Sequence, residues 1–88
     1  MLEYDRKKLG VFLRDVRERS SLTQADVSGK LGYSSPQFIS NIERGISVVP
    51  LKTLARMISL YRVNPESVVK IIMDSQRKLL RDRLVRQK

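Results

Sequence analysis

Cysteine and histidine are both absent from the 88 residues. Their absence removes disulfides, thiol and imidazole nucleophiles, and the usual zinc ligands together. No apolar run approaches the ~20 residues that a membrane span requires. The opening stretch MLEYDRKKLG has no apolar core of a secretory signal, so a cytoplasmic address is the default expectation. Acids are also scarce: 9 Asp and Glu stand against 18 Lys and Arg, a formal net charge of +9 with a pI near 10.5. Such an excess points to a polyanionic partner, and nucleic acid is the commonest one for a small protein of this kind. The competing reading is a basic surface that serves solubility alone. The 41% hydrophobic fraction fits one compact domain.

Helical signals follow one another along the chain, and no convincing strand pattern interrupts them. Asp5 to Arg19 carries Leu9, Phe12, Leu13 and Val16 at i, i+3, i+4 and i+7, a single apolar stripe. The second start is marked by Thr23 as cap, Asp26 three residues on, and a staple of Leu22 and Val27. This helix runs to about Leu31, where Gly32 can end it. After Tyr33 and Ser34, Ser35 is expected to cap a third helix with Pro36 in its first position, and Gly45 to stop it. A fourth helix follows Pro50, with Leu51, Leu54, Ala55, Ile58 and Tyr61 as its apolar face. Asn64 and Pro65 open a fifth, expected to reach about Arg86. The fold class is all-α with five helices, the last one extended.

The chain divides by composition into residues 1–74 and a basic amphipathic extension, 75–88. The stretch QRKLLRDRLVRQK holds six basic residues and one acid, a net +5 of the total +9. Val68, Val69 and Ile72 can dock the fifth helix on the domain. Met73, Leu80 and Leu84 continue a seam at spacings of seven and four, widened by Leu79 and Val85. An exposed seam of this kind asks for a partner, most simply the same helix of a second subunit. The alternative is a disordered basic tail that adds affinity for phosphates.

Two short helices joined by a tight turn suggest a helix-turn-helix. The stretch LRDVRERSSLTQADVSGKLGYSSPQFISNIERG, Leu13 to Gly45, resembles the lambda-repressor-like family of Cro and phage-repressor domains. Its marks are Arg17 seven residues before Gln24, the TQ opening, the small Ser28, Gly32 in the turn, then IERG and Pro50. The resemblance extends from about Leu9 to Val69.

This resemblance implies a sequence-specific, dimeric transcriptional regulator whose third helix, about Pro36 to Arg44, enters the major groove of double-stranded DNA. Base contacts then fall to Gln37, Asn41 and Ser40, the two amides being able to pair with adenine N6 and N7. Phosphate contacts fall to Gln24, Ser35, Arg44 and Arg14. Arg17 and Glu43 match positions that form a structural ion pair. Ile39 and Ile42 face inward, against Leu13, Val16 and Val27. Tyr33 and Phe38 can touch a thymine methyl, but packing is the favoured role for Phe38.

Two departures from the family pattern matter. The turn GYSS is one residue longer than usual, which leaves the register of the third helix open by one position. The following loop, ISVV, is apolar where relatives place phosphate contacts. Ile46, Val48 and Val49 therefore support an alternative class, a protein-interaction module that binds another regulator. Neither reading calls for a cofactor, a metal or catalytic residues.

Overall fold

The computed structural model describes residues 4–86. Five helices follow in order: α1 (Arg6–Arg19), α2 (Gln24–Leu31), α3 (Gln37–Glu43), α4 (Leu51–Tyr61) and α5 (Pro65–Arg86). The all-α, five-helix class is as expected. The first four helices are short enough to be marginal alone, so the caps and the shared core decide where they start and stop. Asp5 accepts from the Lys8 N–H at 3.0 Å to open α1. At α2 the capping box is complete: Thr23 Oγ1 accepts from Asp26 N–H at 3.0 Å, and Asp26 Oδ2 from Thr23 N–H at 2.9 Å. Gly32, at φ 86°, takes the left-handed turn that ends it. At α5, Asn64 Oδ1 accepts from the Glu66 N–H at 3.0 Å.

The start of α3 differs from expectation. Pro36, with helical dihedrals, is the N-cap rather than the first helical residue, and it carries no side-chain cap. Ser35 is drawn the other way: its carbonyl accepts the hydroxyl of Ser28 on α2, and its Oγ reaches the Gln37 N–H only at a long 3.4 Å. Tyr33 N–H returns to the Ser28 carbonyl at 2.9 Å, and the Tyr33 and Phe38 rings stand 5.0 Å apart at a 56° tilt. Both aromatics pack against the core.

That core is built from all five helices, with Leu13, Val27, Ile39, Met57 and Val68 among its most buried members. The stripe on α4 is Leu54, Met57 and Tyr61, which corrects the expected face. Leu51 and Ala55 are exposed, while Val49, just ahead of the helix, is buried in the core. A flexible thioether suits an irregular central gap, which periodicity alone does not reveal. On α5 the buried residues are Val68, Ile72 and Ser75, spaced four and three apart. Val69, expected to dock, lies about 100° off that line and is exposed.

Docking of α5 continues one residue past the expected boundary at Asp74. Ser75 is buried, and its Oγ accepts the Asp5 N–H at 3.0 Å, joining α5 to the start of α1. Beyond it, no residue of α5 through Arg86 is buried. A 22-residue helix is ~33 Å long, and its free end accounts for the molecule's 48 × 24 × 20 Å outline.

Candidate nucleic-acid interface

Helix α3 separates its residues by face. Gln37, Ser40, Asn41 and Arg44 fall at i, i+3, i+4 and i+7 on the accessible side, while Ile39, Ile42 and Glu43 are buried. Seven residues cannot hold such a helix by propensity, so its orientation comes from α1 and α2 beneath. Gly10 sits where α1 meets the C-terminal end of α3. A Cβ there would lie 2.4 Å from the Glu43 carbonyl oxygen and 2.7 Å from that of Ile42.

Arg17 secures the same end. Its Nε donates to Glu43 Oε2 at 2.6 Å, its Nη2 to Oε1 at 3.0 Å, and its Nη1 to the Leu22 carbonyl at 2.8 Å. This fork engages α1, the α1–α2 turn and α3 with one planar group. The Glu43 carboxylate holds the Arg17 guanidinium further toward its charged form, against the cost of burial.

Gln24 joins this network. Its Nε2 donates to Glu43 Oε1 at 2.9 Å. One amide hydrogen is thereby committed inside the protein, and the second stays available at the start of α2. The family resemblance implies a phosphate contact for Gln24 and gives no sign of this internal bond, because the pairing spans 19 positions. Gly10 was equally unmarked; its only trace in the sequence is a glycine inside an otherwise regular helical stripe.

On the accessible face, Gln37 Nε2 and Arg44 Nη2 each donate to Asn41 Oδ1 at 2.9 Å. Ser40 is half-buried between the Gln37 and Arg44 turns. Ser35 is exposed just ahead of the helix. Arg14 is exposed on α1 and lies 3.6 Å from Glu18, a pair too solvated to hold it firmly. The structure thus gathers Gln37, Ser40, Asn41 and Arg44 on one surface, and Gln24, Arg17 and Glu43 beneath it.

The apolar loop divides. Ile46 and Val48 are exposed, whereas Val49 is buried and therefore not available to a partner protein, because its side chain completes the core ahead of α4. Along α5, Met73, Leu80 and Leu84 are 53%, 59% and 64% exposed. Among the described residues no acidic cluster could hold a metal ion, and no helix is long and apolar enough to cross a membrane.

Solved structures share this architecture. The restriction-modification controller protein C.AhdI from Aeromonas hydrophila superposes with a TM-score of 0.64 at 24% identity, covering 70% of this chain and 88% of that one. Two crystal structures of the clp gene regulator ClgR from Corynebacterium glutamicum give TM-scores of 0.69 and 0.70 at 24% and 23% identity. They cover 86% and 98% of this chain, and 96% and 92% of theirs. No curated protein sequence matches significantly. Residues 8–69 match the family described as a helix-turn-helix domain, which takes in all of α2, the turn and α3, and the chain belongs to that family.

Proposed function

We propose that the protein is a sequence-specific DNA-binding transcriptional regulator that lays α3 in the major groove and works in the cytoplasm as a homodimer. The observation that carries this reading is the outward row of Gln37, Ser40, Asn41 and Arg44, held by a buried apolar face and the Arg17–Glu43 pair. Polar side chains on a rigid helix end are what base edges require, and a net charge of +9 supplies the attraction to phosphate. Gln24, Ser35, Arg14 and the free donors of Arg44 take phosphates, fixing the helix in the groove. The regulators named among the solved structures add support to a role in transcription control.

The seam on α5 supports dimerisation. Met73, Leu80 and Leu84 would be covered by the same helix of a second copy, and two recognition helices would then meet half-sites ~34 Å apart. Exposed Ile46 and Val48 favour the second reading, a surface for another regulator, but they offer too small a patch to displace the first.

Selection of bound duplexes from a random library, followed by affinity measurements across salt concentration, tests the reading. An enriched motif with paired half-sites is expected, along with a steep loss of affinity as salt rises. Binding with no sequence preference and no salt dependence would leave only the protein-interaction reading.

A further inference from the structure

Asn41 is the residue through which the outward face of α3 is internally bonded. Its Oδ1 accepts from Gln37 Nε2 and from Arg44 Nη2, both at 2.9 Å. A guanidinium carries donors only, so the Asn41 atom turned toward Arg44 has to be the oxygen. That oxygen in turn obliges Gln37 to meet it with nitrogen. One arginine therefore fixes the orientation of both amides. A carbonyl oxygen has two lone-pair sites, and on Asn41 both are taken. What Asn41 offers a ligand is its Nδ2 amine, a pure donor. Gln37 retains its Oε1 acceptor and one Nε2 hydrogen, a mixed pair.

Resting on the placement of α3 in the major groove, we propose that these two amides read different purines: Gln37 reads adenine and Asn41 reads guanine. Adenine presents the N6 amine and the N7 acceptor, which complement the acceptor and donor of Gln37. Guanine presents N7 and O6, acceptors only, which complement the Nδ2 amine of Asn41. Adenine opposite Asn41 would set its N6 amine against another donor, with no acceptor left to receive it. Thymine has a single O4 acceptor and ranks behind guanine. The result departs from the expectation that both amides pair with adenine, and the cause is Arg44. Arg44 acts here as a positioning residue, setting base choice through Asn41 in addition to any phosphate it meets.

The experiment is selection from a random duplex library with the full chain and with Gln37→Ala, Asn41→Ala and Arg44→Ala, all accessible positions away from the core. Asn41→Ala identifies its base pair as the one whose preference is lost, and Gln37→Ala identifies the other, while freeing one lone pair of Asn41 Oδ1 and so moving the Asn41 position partway toward adenine. Guanine is expected at the Asn41 position and adenine at the Gln37 position. Replacing that guanine by adenine, or by 7-deazaguanine, should weaken binding on the order of tenfold. Arg44→Ala frees one lone pair of the Asn41 oxygen, the other still held by Gln37, so the preference at that one position should move from guanine toward adenine. Adenine enriched opposite Asn41 in the unmodified protein overturns the proposal and leaves DNA binding standing. So does an Arg44→Ala protein that loses affinity equally for every sequence with its preference unchanged. If the unmodified protein enriches nothing and its binding ignores salt, both the proposal and the DNA-binding reading fall.

Discussion

Arg17 and Glu43, 26 positions apart, form a two-bond fork whose side chains are only 9% and 2% exposed. The pair ties the end of α3 to α1, so its loss threatens the proposed readout surface as well as the fold. Arg17→Ala leaves a buried carboxylate with Gln24 as its remaining side-chain donor, and should destabilise the protein by about 3 kcal/mol. In a domain of this size that is a fall of more than ~10 °C in melting temperature. A calorimetric scan of the variant checks it, and an unchanged melting point would show that the pair contributes nothing to stability.

Gly10 allows α1 and α3 to approach as closely as they do. Alanine would normally strengthen a helix interior by about 1 kcal/mol over glycine. Here its Cβ would meet the carbonyl oxygens of Glu43 and Ile42 at 2.4 and 2.7 Å, and backbone cannot rotate away. Gly10→Ala should therefore destabilise, by about 2 kcal/mol, through overpacking. Urea denaturation decides the sign: a gain in midpoint would mean that the two helices separate freely.

Tyr61 places a hydroxyl in the core with no protein partner among the described residues. Burial, aided by the Glu43 carboxylate and opposed by Arg17, pushes its pKa well above the ordinary value of 10.0. The folded state therefore favours the protonated phenol. Its contribution is full below pH ~10, where the unfolded chain titrates, and is lost as pH rises from there toward the folded value. Tyr61→Phe should raise stability at neutral pH by about 1 kcal/mol, since a buried unpaired group is removed. It should also flatten the decline between pH 9 and 11. Denaturation midpoints of both proteins across that range provide the comparison.

The fold was legible where a local rule dictates it. Thr23 with Asp26, Gly32, Gly45 and Asn64 with Pro65 marked helix ends because caps and left-handed turns act within a few residues. The exposed row of α3 was legible as well, once the helix was known to be amphipathic. What escaped depended on partners distant in sequence. Met57 replaced Leu51 on the α4 face because packing, and not the order of apolar residues, decides which side faces in. Ser35 is not the N-cap of α3: its carbonyl is tied to Ser28 on α2, and its Oγ reaches the Gln37 N–H only at 3.4 Å. Gln24 has an internal partner, and Asn41 an arginine beside it, and neither follows from residue type.

Gln24 and Gln37 should fail differently when shortened. Gln24→Ala loses the bond to Glu43, about 1 kcal/mol of stability, together with the proposed phosphate contact. Its binding to selected and random duplexes should weaken alike, since phosphates are the same at every site. Gln37→Ala touches no core residue. It should cost 1–3 kcal/mol, roughly, at one operator position while random-sequence affinity barely moves. Titrations of both variants against both duplexes separate the roles. If Gln37→Ala lowered every affinity equally, its side chain would be a phosphate contact.

Truncation tests the α5 seam, and the structure determines where to cut. Removal after Asp74 would delete Ser75, whose Oγ receives the Asp5 N–H, and would loosen α1 as well as the tail. A stop after Gln76 keeps that bond and the last buried turn while deleting Leu80 and Leu84. Charge introduced within the intact helix gives an independent variant: Leu80→Glu with Leu84→Glu alters two exposed positions and no buried one. If the seam joins two copies, the full chain sediments as a dimer, while both variants sediment as monomers and lose cooperative binding to paired half-sites. If the extension only attracts phosphate, the state of association is the same in all three proteins. The truncation then lowers the salt slope by removing Arg77, Lys78, Arg81, Arg83, Arg86 and Lys88 against the single acid Asp82. A full chain that stays monomeric at high concentration, with DNA and without it, would rule the dimer out.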